Sequence, residues 1–216
     1  MTREKNNSSS IEFLITPSLL NSWGYYLTEC EKYVKEFEKD EICLEDKIDE
    51  ARKKAKEDFI NALNRVKTEP TEAMLKGIQF ENECYDGKTC ISPIIENGCF
   101  QIVGTKRVEV DGMNFLMYGR LDVLKAGEII DIKRVKKYFP QKYIGSFQHG
   151  FYLDLFKKAK RFRYLICDDN EKIHEEIYYR NQYIPTVTVI RWFIKWLKEN
   201  DLFEIYKEKW RSEYGR

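Results

Sequence analysis

The run GRLDVLKAGEIIDIKRVKKY, Gly119 to Tyr138, constrains this chain more than any other stretch. Two short extended segments flank the connection AGE, and they carry Asp122, Asp131 and Lys133 where strands favour Val, Ile and aromatics. A period of two puts Asp131 and Lys133 on one face of their strand, with Ile130 and Ile132 on the other. The short connection lets the segments pair as an antiparallel hairpin, so Asp122 converges on the same point. Two carboxylates, a backbone carbonyl and waters make a hard oxygen site suited to Mg²⁺ or Mn²⁺. An ion so held polarises a phosphoryl oxygen and acidifies a bound water, and Lys133 can orient that water or stabilise charge on the phosphate. The plainer alternative is a hairpin with an exposed ion pair, worth at most about 1 kcal/mol. These three residues alone do not choose between the two.

Two neighbouring segments bear on that choice. GIQFEN puts Glu81 on a helix one turn from Gly77, where it could serve as a further ligand or a base. QHGFY places Gln148 and Tyr152 four apart, hence on one helical face, soon after the hairpin. Each alone fits an ordinary solvated or amphipathic helix; their joint order and spacing are less ordinary. KRVKKYFPQKY, Lys133 to Tyr143, interleaves basic and aromatic residues beside the hairpin. Arg134, Lys136 and Lys137, with Arg120 on the preceding strand, suit nucleic-acid phosphates, and Tyr143 suits unstacked bases. The alternative is a solvated loop with packing aromatics.

The rest of the chain supplies a scaffold. Thr16 is an N-cap and Pro17 a first helical residue. A charged helix follows over 45–66, with an apolar stripe of Ile48, Ala51, Ala55, Phe59 and Leu63. A third helix opens at Pro70 and ends near Gly87. Extended runs at 99–110, 113–125 and 129–135, with a turn at Asp111 and Gly112, form a three-stranded meander. Pro140 opens a helix through QHGFY to Ala159. Strands at 161–168 and 172–181 precede two helices that break near Asn200 and Asp201. Trp192, Phe193 and Trp196, at helical spacing, read as core or as an oligomer contact. His149 and His174 have no partnering pattern and receive no role; His174 is expected on the surface. A chain of 216 residues, 43% of them hydrophobic, is most simply one elaborated domain. Residues 1–10 are expected to be disordered, 11–69 helical, 70–182 the catalytic core and 183–216 C-terminal helices.

Charge and cysteines exclude several classes. Lys and Arg number 37 against 36 Asp and Glu, which argues against indiscriminate polyanion binding but allows a locally basic groove. No run approaches the roughly 20 apolar residues of a membrane span, and the opening MTREKNNSSS lacks a signal peptide's apolar core, so a cytoplasmic location without membrane contact is expected. The six cysteines form no CxxC pair, so they are expected to be reduced thiols. The spacing of Cys84, Cys90 and Cys99 matches no standard zinc finger.

The helical GIQFE, then GRLD, DIK and QHGFY, in that order, resemble the PD-(D/E)XK nuclease superfamily in its RecB-like and phage-exonuclease branch, whose QxxxY signature QHGFY fits. ITPSLLNSW is similar to the opening helix of RecB-like nucleases. The motifs cover Gly77 to Tyr152. The resemblance implies an α/β, restriction-endonuclease-like core, with a central mixed sheet of about five strands flanked by helices and helical additions at both ends. It implies a metal-dependent deoxyribonuclease acting on DNA ends or single-stranded regions in phage or bacterial recombination and repair. Asp122 and Asp131 would ligate Mg²⁺ or Mn²⁺, Ile132 would add its carbonyl, Lys133 would be the catalytic lysine, and Glu81 the helix-borne acid. Gln148 and Tyr152 would position the nucleic-acid end. Some relatives hold an iron–sulfur cluster with one N-terminal cysteine and a C-terminal trio; here only Cys30 and Cys167 could correspond, and no cluster is expected. No GxxxxGK[ST] occurs, so a helicase activity would have to come from a partner. A strand-annealing recombination protein and a homo-oligomer are compatible partners. The competing readings are a noncatalytic nucleic-acid-binding or assembly subunit and a structure-selective endonuclease. Retention of both aspartates and the lysine argues against the first, and the QxxxY element argues against the second.

Overall fold

The computed structural model describes residues 11–37 and 44–212, without the side chains of residues 29–48 and 51. The expected disorder of residues 1–10, the thiols of Cys30 and Cys43, and two positions of the apolar stripe, Ile48 and Ala51, lie outside the described residues. The remaining stripe residues Ala55, Phe59 and Leu63 are buried.

Two helix starts follow their capping chemistry. Thr16 accepts from the Leu19 amide at 3.3 Å and opens α1 (Pro17–Phe37). After α2 (Leu44–Leu63), α3 (Glu72–Tyr85) begins past Pro70, because Thr71 is the cap and accepts from the Met74 amide at 3.2 Å. A short α4 (Ser92–Ile95) follows. The meander comprises β2 (Cys99–Val110), β3 (Met113–Lys125) and β4 (Glu128–Val135). Its two turns, Asp111–Gly112 and Ala126–Gly127, each place two successive residues at positive φ, the geometry that matches strand twist in two-residue hairpins. β5 (Arg161–Asp168) runs parallel to β4, and β6 (Ile173–Tyr179) antiparallel to β5. A strand absent from the sequence reading, β1 (Glu12–Ile15), pairs in parallel with β3 from Glu12↔Asn114 to Ile15↔Met117. The sheet thus runs β1-β3-β4-β5-β6 with β2 on β3, six strands where about five were expected. The fold class is the one expected, a central mixed sheet flanked by helices.

The helix expected from Pro140 to Ala159 is much shorter: α5 spans Gln148–Leu155. The amides of Lys142 and Tyr143 donate to the buried Glu176 carboxylate at 2.8 and 3.2 Å, and the Phe147 amide donates to Asn21 Oδ1 at 2.8 Å. Gln141, at φ 63°, is outside the right-handed helical region, and the Phe147 amide, which a helical ladder would have used, goes instead to a side chain of α1. At the C-terminus, α6 (Thr186–Glu199) and α7 (Phe203–Lys209) break where Asp201 takes φ 58°.

The sheet is covered on both sides. On one side Phe13, Ile15, Phe115 and Met117 pack with residues of α1, α2, α6 and α7, including Trp23, Phe59, Phe193 and Tyr206. Leu121 and Ile129 continue that side against Tyr152 and Leu153 of α5. On the other, Phe80 and Cys84 of α3 and Ile95 of α4 pack with Val123, Ile130 and Ile132. Phe193 and Trp196 are core contacts, whereas Trp192 is 46% exposed. Among the described residues, no helix is long and apolar enough to cross a membrane.

The two ends of the described chain clasp each other. The Leu14 amide donates to the Trp210 carbonyl at 2.6 Å, the Ser212 amide to the Glu12 carbonyl at 2.7 Å, and the fully buried Tyr206 hydroxyl to the Leu14 carbonyl at 2.8 Å. Tyr206→Phe leaves that carbonyl without its donor, so it should cost about 1–3 kcal/mol. The urea midpoint measures this, and an unchanged midpoint would refute the clasp.

Candidate active site

β3 and β4 pair through Lys125↔Glu128, Leu124↔Ile129 and Val123↔Ile130, and there the ladder stops. The next pair in register would be Asp122 and Asp131. The strands separate at that level, and Asp122 Oδ2 accepts the Ile132 amide at 2.9 Å, a side chain taking over a ladder bond. Asp131 is buried, at 4% exposure. Its Oδ2 lies 2.5 Å from Lys133 Nζ, and its Oδ1 accepts from Gln148 Nε2. The hairpin geometry read from the sequence therefore exists, and the helix that follows reaches into it.

Burial first, and the neighbouring carboxylates second, govern protonation at this point. Burial, reinforced by the neighbouring Asp131, pushes the Asp122 carboxyl up to about 8. Burial likewise raises Asp131, despite Lys133, and Glu81 adds to the repulsion on both. Burial works against the charge on Lys133, but Asp131 and Asp122 outweigh it and hold the ammonium above its usual range. Lys133 is therefore a fixed cation rather than a proton acceptor near neutral pH. Glu81, half-buried on α3, accepts from the Tyr85 hydroxyl and from Gln101 Nε2, each at 2.6 Å.

Gln148 and Tyr152 share a face of α5, as their spacing predicts, but they do different things. Gln148 holds Asp131. Tyr152 is 5% exposed and donates to the Arg120 carbonyl at 2.7 Å, so it ties α5 to β3 beside Asp122. Gly119 makes that approach feasible, because a Cβ there would lie 2.7 Å from the Tyr152 ring. Nothing crowds Gly77, the glycine of GIQFE, and the structure gives no reason for it. A cleft of 280 Å³ lies between Thr16, Ser18 and Asn21 on the α1 side and Arg120, Gln148 and Tyr152 on the other; the acids do not line it, and Gln148, which binds Asp131, is the link between them.

The remaining sequence candidates scatter around this centre. Arg120, Lys136 and Lys137 are exposed. Arg134 pairs with Asp169 at 3.4 Å and lies 5.1 Å over the Phe80 ring. Tyr143 is half-buried, with its ring stacked on Tyr164 at 4.5 Å. His174 is not the free surface residue expected, since it pairs with Asp168 at 2.8 Å and stacks on Tyr138 at 4.3 Å. His149 is buried against Tyr178, and burial lowers its pKa to about 4. The sequence reading missed Gln101, Tyr85 and Glu176. Glu176 shares the inward parity of Tyr178, a signal strand alternation offers; nothing in the sequence marks Gln101.

The donor set fits a hard dication. Asp122, which accepts the Ile132 amide, and Asp131, paired with Lys133, are hard oxygen donors on adjacent strands, and with Glu81 their formal charge exceeds the one positive charge of Lys133. Among the described residues no three His, Cys, Asp or Glu side chains form a ready-made cage. Such a set suits an ion that keeps waters rather than one enclosed by protein.

No family model matches the sequence, and no curated protein does. Among solved structures, the crystal structure of SSO0001 is similar at a TM-score of 0.53 and 14% identity, over 87% of this chain and 77% of that one, a likeness that shows a shared fold. A candidate exonuclease from Eubacterium rectale is similar at a TM-score of 0.40 and 12% identity, over 99% of this chain and 90% of that one, too loosely to bear on function.

A carboxyl raised on folding favours the native state below its unfolded value of about 3.9 and loses that advantage as pH rises through about 8. Asp122→Asn removes the charge while keeping an acceptor for Ile132. In EDTA it should raise the melting temperature, with a gain that grows between pH 4 and pH 8. A difference from the wild-type protein that stays flat across that range would contradict the charge excess.

Proposed function

We propose that the chain is a divalent-metal-dependent deoxyribonuclease that hydrolyses phosphodiester bonds, most specifically an exonuclease acting at DNA ends. The observation that carries this reading is the meeting of Asp122, Asp131 and Lys133 at the level where the β3–β4 ladder ends, with Gln148 of α5 bound to Asp131. A surface ion pair needs none of that burial or support. Asp122, Asp131 and the Ile132 carbonyl would hold Mg²⁺ or Mn²⁺, with Glu81 as a further ligand or base. When bound, the ion supplies Lewis-acid polarisation of a phosphate oxygen and acidification of a water.

The chain's own groups do the rest. Lys133 keeps its positive charge, so it stabilises negative charge developing on the phosphate rather than removing a proton. Gln148 fixes the Asp131 carboxylate through one oxygen and leaves the other toward Lys133. Tyr152 is a positioning residue, because its hydroxyl bonds backbone. Arg120, at the edge of the cleft, and Lys136 and Lys137 on the loop after β4 suit backbone phosphates of an incoming strand. End specificity and a role in recombination or repair, with DNA and a strand-annealing protein as partners, rest on the resemblance of QHGFY and its companions to the phage-exonuclease branch.

The test uses end-labelled linear DNA and closed circular DNA with Mg²⁺, Mn²⁺ or EDTA. Linear DNA should be degraded from its ends with either ion and left intact in EDTA. Asp131→Ala should abolish cleavage, and Lys133→Met should slow it by about 10²–10³-fold, without loss of the fold by circular dichroism. Cutting of the circle would point to an endonuclease, and no cutting of either substrate by the wild-type protein would point to a binding subunit.

A further inference from the structure

We propose that Gln101 is a positioning residue of this site, holding Glu81 with its side chain and setting the direction of Asp122 with its backbone. The assignment rests on the reading of the site as a metal-dependent nuclease centre. Gln101 lies inside β2, yet takes φ 54°, a left-handed conformation that residues with a Cβ rarely adopt in a strand. Its place is the informative part. The β2–β3 ladder pairs Phe100 with Val123 and Ile102 with Leu121, and it skips the one pair between them, Gln101 and Asp122.

The two strands change faces together at that pair. Phe100 meets Tyr85 of α3, with ring centroids 4.9 Å apart, while Ile102 packs on the α5 side. Val123 packs with Phe80 and Cys84 of α3, while Leu121 packs with Tyr152 and Leu153 of α5. Residues two apart on a regular strand share a face, so the alternation is broken at Asp122 and opposite it. A local break of this kind re-aims a side chain, and the side chain here is the carboxylate that accepts from Ile132.

The side chain of Gln101 explains why the position is not the glycine that this backbone would favour. Its Nε2 donates to Glu81 Oε1 at 2.6 Å and to the Tyr85 hydroxyl at 2.8 Å, and the Tyr85 hydroxyl donates to the same Glu81 oxygen at 2.6 Å. Glu81 is thereby held beside two aspartates that repel it. Without those donors it would turn outward to solvent. The backbone of one residue bears on Asp122, and its side-chain amide bears on Glu81 directly and through Tyr85; strained backbone of this kind persists where the surroundings over-determine it.

Gln101→Gly separates the two contributions, since glycine keeps the left-handed backbone and deletes the amide. Mn²⁺ binding by calorimetry and thermal melting in EDTA are measured on the full chain. Gln101→Gly should melt at or above the wild-type temperature and bind Mn²⁺ about tenfold more weakly. Tyr85→Phe added to it should weaken binding little further, because both donors serve one Glu81 oxygen. Wild-type Mn²⁺ affinity in Gln101→Gly overturns the assignment. So does an affinity loss that appears only with a lowered melting temperature, which would make the residue merely structural. A wild-type protein that neither binds Mn²⁺ nor cleaves DNA overturns the nuclease reading along with it.

Discussion

A buried carboxyl, Asp131, and a half-buried one, Asp122, at one level of a hairpin, with a single ammonium to balance them, set the terms for the rest of this molecule. Asp122 and Asp131 face each other where a regular ladder would have placed an ordinary cross-strand pair, and like charges so placed oppose folding. The structure answers with donors rather than distance. The Ile132 amide serves Asp122, Lys133 and Gln148 serve Asp131, and Tyr85 and Gln101 serve Glu81. A site so short of positive charge is unfavourable as a structural feature and favourable as a place for a dication.

The scaffold is built to hold that arrangement. Apolar layers on both sides of the sheet keep β3, β4 and β5 in register, with α5 beneath the hairpin and α3 above it. Close contact of Gly119 with Tyr152, and the bond from Tyr152 to the Arg120 carbonyl, fix α5 against β3, so that Gln148 arrives at Asp131. Glu176 and Asn21 pin the segment between β4 and α5, which carries the basic and aromatic residues. The loop is thus anchored at its inner side while Lys136 and Lys137 remain exposed.

Much of this was legible in the sequence because it rests on periodicity and turn chemistry. Alternation placed Asp131 and Lys133 on one face, the Asp111–Gly112 turn and the short AGE connection marked the hairpins, and four-residue spacing put Gln148 and Tyr152 on one side of a helix; the second turn proved one residue shorter, since Glu128 already pairs with Lys125. What escaped depends on contacts between distant segments. β1 is only four residues long and acquires its meaning by lying parallel to β3 and meeting Trp210 and Ser212. The helix expected from Pro140 gives way to a segment whose amides are claimed by Glu176 and Asn21, residues that no local pattern ties to it. His174 finds a carboxylate across the tight β5–β6 connection. Gln101 is hidden for a different reason: a left-handed residue in a run of strand formers leaves no trace when that residue is not glycine.

The central claim is that these acids gather to hold a divalent ion, and anomalous diffraction from a Mn²⁺-soaked crystal tests it most directly. The account predicts a manganese peak within ligand distance of Asp122, Asp131 and the Ile132 carbonyl, with Lys133 displaced from Asp131. A site that stays closed, with Lys133 and Gln148 still on Asp131 and manganese only elsewhere on the surface, would contradict it.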